Sequence, residues 1–472
     1  MSLDVHSERF VELARDAMND APLQHSLGRL KTGLSLMRRA AIDRMPEFER
    51  LRDEGRAIRD HGLAHLDHYL ERFADAVEAS GGVVHFAADA AEAREIIHGI
   101  CRDVGARRVT KGKSMVTEEI ELNDYLAARG IESLETDLGE YIIQLRGERP
   151  SHIVGPAIHL SRDQVADTFR GHHGAAHDPA RTGTADLVAE ARAVIRQRFL
   201  EADVGITGAN FAIAETGTTV IVTNEGNGDL TQSLPKVHVA VTGIEKVVPT
   251  LEDASTLIRL LTRSATGQEA SVYTTWSTGP RRSDDPDGPE QFHVVLVDNG
   301  RSGMLGTEFR EMLRCIRCGA CLNHCPVYGQ VGGHAYGSVY PGPMGAVLTP
   351  SLAGIDAAGH LPNASTFCGA CEAACPVRIP LPKLMRNWRA REFERHLTPG
   401  AQRFGIAGWA FIARRPWLYR PLSGIGARML RLLGGRRGRL ARLPMGRGWT
   451  AWRDMPAPAG ETFMQAWKRT NG

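Results

Sequence analysis

Two stretches decide the reading: CIRCGACLNHCP, Cys315–Pro326, and STFCGACEAACP, Ser365–Pro376. The first is C-x2-C-x2-C-x3-C-P, the spacing that holds [4Fe–4S] clusters. Close spacing lets three thiolates wrap one cubane from a tight loop, and the fourth, next to Pro326, points to a second cluster. The second stretch repeats the pattern as Cys368-x2-Cys371-x3-Cys375-Pro376, with Ser365 where its first cysteine would stand. A zinc site is the competing reading, but zinc takes paired C-x2-C units across a longer gap. By the two-cluster rule, the first cluster takes Cys315, Cys318, Cys321 and Cys375, and the second takes Cys325, Cys368 and Cys371. The second is then one thiolate short. Its remaining iron would need Ser365, water or a partner's ligand, which predicts a labile cluster that converts to [3Fe–4S]. Alternatively, Ser365 caps the helix carrying Cys368 and Cys371.

Outward from the cysteines, the chain has 472 residues, 42% hydrophobic, 24% charged and 6% aromatic. That suits a globular chain of about three domains and excludes disordered, collagen-like and disulfide-stapled classes. Seven of the eight cysteines lie between Cys315 and Cys375, which in a cytoplasmic protein means metal. The eighth, Cys101 in EIIHGICRDV, reads as a buried free thiol. The start, MSLDVHSERF, lacks a signal-peptide pattern, and no apolar run approaches the ~20 residues of a spanning helix. The expected location is cytoplasmic.

Residues 1–75 read as helical, on the i, i+3, i+4, i+7 spacing of FVELARDAMNDA and of the long run starting FERLRDEG, which Gly81-Gly82 ends. Residues 76–298 alternate strands (VVHFAA, RRVTKG, SHIVG, TTVIVTN, VHVAVTGI, FHVVLVDNG) with helices (AAEAREIIHGICRDVG, VTEEIELNDYLAARG, RDQVADTFRGH, DLVAEARAVIRQRFLEAD, LEDASTLIRLLTRSA). This predicts an α/β domain with a mostly parallel sheet. RRSDDPDGPE, Arg281–Glu290, reads as a solvated loop. Residues 299–390 form the cysteine module, with a Gly/Pro-rich insert from Gly332 to Pro350.

Residues 391–472 form a basic, Trp-rich region. From Arg386 onward there are 18 Lys or Arg against 4 Asp or Glu, and six of seven tryptophans: Trp388, Trp409, Trp417, Trp449, Trp452 and Trp467. The leading reading is docking to an acidic partner. Peripheral contact with an anionic membrane face, nucleic-acid binding and a solvated tail are the alternatives, and no nucleic-acid partner is expected.

Three weaker signals lie in the α/β part. Lys111-Gly112-Lys113-Ser114 fails the P-loop spacing, leaving an anion-cradling loop or a solvated basic turn. Glu215 and Glu225 flank an apolar strand and read as pocket carboxylates or as surface and capping groups. His172-His173 read as part of a polar loop rather than a metal pair.

From about residue 70 to the end the chain resembles the lactate-utilisation iron–sulfur protein B (LutB) family. The α/β part resembles the LUD domain in GITGANFAIAETGTTVIVTNEGNG, Gly205–Gly228, and LPKVHVAVTGIEKVVPT, Leu234–Thr250. The cysteine part matches through CIRCGACLNHCPVY, GGHAYGSVYPGPMGAVLTP and STFCGACEAACPV, and departs from a full dicluster ferredoxin at Ser365. The resemblance implies a LUD fold similar to the NagB/RpiA/CoA-transferase group, joined to an α-helical dicluster ferredoxin-like domain. It implies two [4Fe–4S] clusters and an electron-transfer role in oxidising L-lactate to pyruvate. Its partners would be a cysteine-rich CCG-domain subunit and another LUD-domain subunit. Two other classes compete: a LUD-domain enzyme acting on a small carboxylate or phosphorylated substrate with the clusters as outlet, and an Fe–S sensor that binds nucleic acid through its tail.

Overall fold

The computed structural model describes residues 5–443, 446, 450 and 453–471. They fall into two compact units, Met1–Glu392 and Phe393–Gly472.

The first unit opens with helices Phe10–Asn19, Ala21–Thr32, Leu34–Asp43, Phe48–Ala64 and Leu66–Ala79. The long helical run of the sequence is two helices, because His65 leaves helical geometry at φ −125°, ψ 37°. Ten strands follow: β1 (Val83–Ala87), β2 (Arg108–Lys111), β3 (Glu132–Glu135), β4 (Val204–Gly208), β5 (Phe211–Ile213), β6 (Thr218–Thr223), β7 (Val237–Gly243), β8 (Val247–Val248), β9 (Tyr273–Ser277) and β10 (Gln291–Val297). Six of them form a sheet in the order β1-β10-β7-β4-β2-β3, parallel throughout. All seven residues of β7, VHVAVTG, are buried, as a central parallel strand covered on both faces requires. The other four form a second, mixed sheet in the order β8-β5-β6-β9.

Helices Arg162–His172 and Leu251–Ala265 match their sequence segments end to end. Three local readings change. SHIVG is not a strand, because the chain there loops around the buried ring of His152. VTEEIELNDYLAARG splits into helices Met115–Glu119 and Leu122–Ala127, since Glu121 turns left-handed at φ 52°. His172 closes the helix that RDQVADTFRGH predicts, and His173 is held rather than part of a polar loop: its buried side chain meets Tyr141 Oη at 2.9 Å and Glu190 Oε1 at 2.6 Å.

The α/β part and the cysteine module share a buried ionic knot at the C-terminal ends of β2, β7 and β10. Arg301, fully buried, donates to both carboxylate oxygens of Glu119 at 2.8 and 2.7 Å. Its Nε lies 2.8 Å from Glu245 Oε2, close but not aligned as a hydrogen bond. Asn299 Nδ2 and Tyr340 Oη complete the shell of Glu119 at 2.7 and 2.6 Å.

The second unit contains helices Gly400–Ala413, Pro416–Gly434 and Phe463–Asn471. The solvated-tail reading gives way to helices that leave Phe404, Trp409, Trp417 and Leu432 exposed. Trp388 belongs instead to the cysteine module, stacked on Phe309 with ring centroids 4.1 Å apart and donating to Val347 O. Trp449 and Trp452 lie outside the described residues. Among the described residues no helix is long and apolar enough to cross a membrane.

Candidate metal centre

The two cysteine stretches repeat in backbone geometry as well as in spelling. Arg317 and Gly319 take positive φ of 59° and 74°, and Phe367 and Gly369 take 55° and 80°. A short helix follows each, Ala320–Asn323 and Ala370–Ala374. A non-glycine residue at positive φ is uncommon, so two at matching positions mark a built loop. In the first loop Arg317 N–H donates to Cys315 Sγ at 3.4 Å. In the second, Phe367 N–H donates to Ser365 Oγ at 3.1 Å. Ser365 thus makes the contact of its cysteine counterpart, and the cap of the following helix is Gly369, not Ser365.

Cys315, Cys318, Cys321 and Cys375 line one cavity of about 20 Å³, walled by Ile153, Ile316, Met344 and Leu381. Burial, with the neighbouring cysteines adding, pushes the Cys318 thiol up to about 12 and Cys321 well above the usual thiol range. Burial raises Cys375 to about 11, against the N–H groups of Ile379 and Val377 that point at its sulfur. Four converging thiols, of which Cys318, Cys321 and Cys375 resist losing their protons unaided, fit a cationic metal core, which would exchange for those protons.

Basic side chains, three of them buried and Arg38 half-buried, surround the same spot. Arg52 donates to Cys375 O at 3.1 and 2.8 Å and to Ala373 O at 2.9 Å. Arg38 donates to Ala374 O at 2.9 Å, Arg59 to Leu313 O at 3.0 Å and Lys246 Nζ to Cys315 O at 2.6 Å. They stand where they would offset the negative charge of a thiolate-held core in a low-dielectric interior. Arg38, Arg52 and Arg59 come from the N-terminal helices, which the sequence reading left without a role. The missed signal was Arg52 and Arg59, seven residues apart on the apolar face carrying Phe48, Leu51 and Leu63.

Cys325, Cys368 and Cys371 are the second group, close enough that each acts on another's proton. Burial raises Cys325, and burial with Cys325 and Cys368 raises Cys371 to about 12. Cys368 is exposed, and the Ala370 N–H and the Thr366 side chain hold its thiol below the ordinary value. Cys371 also acts on Cys321, so the two groups adjoin. Cys101 is fully buried, with its thiol pushed up to about 12 by burial.

A larger cavity, about 490 Å³, lies next to the four-thiol site and shares Ile153 and Ile316 with it. Lys113 and Glu225 line it. Glu215 does not: its Oε2 accepts from Leu251 N at 3.0 Å, at the start of a helix. The solvated-turn reading fails for Lys111, which is wholly buried between Glu118 at 2.7 Å and Glu135 at 2.6 Å. Glu148, His159 and His334 also bring ligand atoms within 4.8 Å of one another, but Arg146 pairs with Glu148 at 2.7 Å and His334 bonds Arg149 O.

A six-stranded parallel body joined to a two-loop cysteine module defines a class, and the comparisons name its parts. The LUD domain matches residues 70–297 and the 4Fe-4S dicluster domain residues 311–379. The Lactate utilisation protein B C-terminal domain matches residues 377–471. The protein is therefore a LUD-domain protein with an iron–sulfur module. Lactate utilization protein B of Bacillus pumilus (strain SAFR-032) is 42% identical over 475 residues, spanning 99% of both chains. That of Shouchella clausii (strain KSM-K16) is 43% identical over 473 residues, spanning 99% of this chain and 98% of its own. The chain belongs to the Lactate utilization protein B family. Among solved structures, a DUF162 family protein from Deinococcus radiodurans is 16% identical over 49% of this chain and 98% of its own, with a TM-score of 0.29.

Proposed function

We propose that the protein is an iron–sulfur electron carrier in lactate utilisation, serving the oxidation of L-lactate to pyruvate. The name carried by its full-length relatives supports the pathway. The observation that carries the reading is the pair of adjoining thiol groups, with Cys375 of the second loop lining the cavity of the first. In this reading Cys315, Cys318, Cys321 and Cys375 hold one [4Fe–4S] cluster, and Cys325, Cys368 and Cys371 hold the other. Ser365 Oγ stands in the fourth ligand position of the second, a placement supported by its accepting from Phe367 N–H as Cys315 Sγ accepts from Arg317 N–H. A serine oxygen is a harder, more basic ligand than a thiolate, so the second cluster is the more labile and yields [3Fe–4S] on mild oxidation. When bound, the clusters supply one-electron storage and transfer.

The chain's own residues divide the work. Arg38, Arg52, Arg59 and Lys246 keep the buried first site electrically tolerable, and the exposed Cys368 sets the second toward solvent and a partner. Residues 76–298 are the LUD domain, 299–390 the cluster domain and 391–472 a docking region for a CCG-domain subunit and a second LUD-domain subunit. Between Glu394 and Asp454 that region has no carboxylate, which suits an acidic partner face. Seven clustered cysteines kept as thiolate ligands suit the reducing cytoplasm.

The test is the native complex, purified anaerobically and mixed with L-lactate. Reduced-cluster EPR signals are expected. A complex whose clusters reduce with dithionite but never with lactate overturns the function. EPR of wild type against Ser365→Cys after mild oxidation tests the ligand set. A wild type that gives no [3Fe–4S] signal with both clusters intact removes Ser365 from it.

A further inference from the structure

The 490 Å³ cavity stands where the order of the parallel sheet reverses. β2 and β4 are neighbours, but the chain leaves β2 toward β3 on one side and continues from β4 toward β7 on the other. The loops leaving those strands, Lys113-Ser114 and Gly208-Ala209-Asn210, part above the carboxyl ends, and Val241 and Thr242 of β7 continue the lining. Such a crevice is where open α/β sheets take their ligands. Gly208 is needed at the base of that crevice: a Cβ would lie 2.9 Å from Lys113 O and 3.0 Å from Ser114 Cβ, so glycine lets the two segments pack closely before they diverge. The volume falls within the range of small-molecule sites.

The lining holds two carboxylates, Asp137 beside Lys113 and Glu225, and three kinds of group that can meet a ligand. Ile153, Val154 and Ile316 give an apolar side toward the four-thiol cavity. Lys113 and Arg317 give positive charge, and Lys246, which burial lowers to about 7, adds a partial one. Lys246 is committed to Cys315 O, and Arg317 lies over the Tyr340 ring at 4.8 Å and 3.5 Å from Glu245. Lys113 donates to Val154 O and lies 3.7 Å from Asp137, whose other oxygen accepts from Gly139 and Glu140 N–H. An ammonium has three donors, so Lys113 keeps one for a ligand. Finally, Thr223 Oγ1 is buried in the lining without a hydrogen-bond partner among the described residues, which costs stability unless a ligand or water satisfies it.

We propose that this cavity binds a small hydroxy- or keto-carboxylate, its carboxylate on Lys113 and its hydroxyl or keto oxygen at Thr223, one loop away from the first cluster. The ligand's class rests on the lactate-utilisation reading; the site itself rests on the cavity. Because Cys315, Ile316 and Arg317 form the dividing wall, an anion here feels the charge of the cluster and binds less tightly once that cluster is reduced. By reciprocity, the ligand then lowers the cluster's potential. A tenfold difference in affinity between oxidised and reduced protein corresponds to 59 mV for one electron.

The experiment uses the full-length, cluster-loaded protein under anaerobic conditions. Calorimetry is run with L-lactate, pyruvate and inorganic phosphate, on wild type, Lys113→Gln and Thr223→Val, with the cluster EPR spectrum as the check on folding. Saturable binding of an organic acid is expected, at least tenfold weaker in Lys113→Gln. Thr223→Val, nearly isosteric, should weaken the acids but leave phosphate unchanged. An EPR-monitored redox titration should show the first cluster's midpoint falling with ligand, and no shift in Lys113→Gln. No saturable binding by any of the three probes overturns the proposal, as do both variants binding like wild type. If the complex reduces its clusters with lactate while the chain binds no acid, the cavity proposal alone fails. If the chain binds acids but lactate never reduces the complex, the function alone fails.

Discussion

Replacing Arg301 by methionine tests the knot that joins the α/β body to the cluster module. Arg301 and Glu119 are both fully buried, and Glu245 is 3% exposed. The guanidinium makes two bonds to Glu119 and a close contact to Glu245, so methionine leaves two carboxylates facing one another without their shared counter-ion. Breaking one buried pair costs about 3–5 kcal/mol, and two partners place Arg301→Met at the upper end. Tyr340→Phe removes one donor to the same charged carboxylate and should cost about 1.5–3 kcal/mol. Anaerobic urea titration by far-UV circular dichroism reads both. A slope above about 3 kcal/mol per M turns the larger loss into a midpoint drop of roughly 1–1.5 M. The pH dependence carries a sign. In wild type, burial pushes Glu119 up, but Arg301 overrides it and the net shift is downward. That contribution is present above the unfolded carboxylate pKa and fades only as pH falls through the lower folded value. In Arg301→Met the burial effect gains the upper hand, so the folded form holds a proton that the unfolded form has released. The variant should therefore regain stability as pH falls from 8 toward 5, and wild type should not. A midpoint within 0.3 M (~1 kcal/mol) of wild type, or a larger loss from Tyr340→Phe, refutes the reasoning.

Cys375→Ser should abolish the EPR signal of the cluster assigned to Cys315, Cys318 and Cys321 while the other persists; unchanged iron content and signals would break the partition. Deleting residues 400–472 should leave both clusters assembled and weaken association with partner subunits about tenfold or more, the scale of one lost hot spot, as read by co-elution. Glu140 is 1% exposed with neither carboxylate oxygen hydrogen-bonded among the described residues, and burial, then Glu135, pushes its pKa well above the usual range. A raised folded pKa costs stability above the unfolded pKa, so Glu140→Gln should gain about 1–3 kcal/mol at pH 8 and little near pH 4.5, in urea midpoints at the two values.

What the sequence determined by itself was local chemistry. Cys315, Cys318, Cys321 and Cys325 lie within one short loop, so their spacing states which thiols can face one metal core. Helices such as Leu251–Ala265 carry their period and caps within their own residues, with Thr250 accepting from Asp253 N–H. The parallel sheet was legible because β7 and β10 are short apolar runs between helices. β4, which holds two glycines in five residues, and β5, only three residues long, carry too little pattern to be seen alone, and SHIVG has a strand's composition but lies in a loop.

Only the tertiary structure decided what surrounds the cysteines. Arg52 meets Cys375 across 323 residues of chain, Arg59 meets Leu313 across 254 and Lys246 meets Cys315 across 69. Nothing near those residues in sequence announces the partner, because a buried arginine is tolerated wherever distant carbonyls and negative charge await it. The strand order likewise comes from which apolar faces pack together, and that order alone parts the loops after β2 and β4 and opens the cavity beside the first thiol site. Ligand spacing is a property of a few consecutive bonds, and the field and the cavity around the ligands belong to the packed whole.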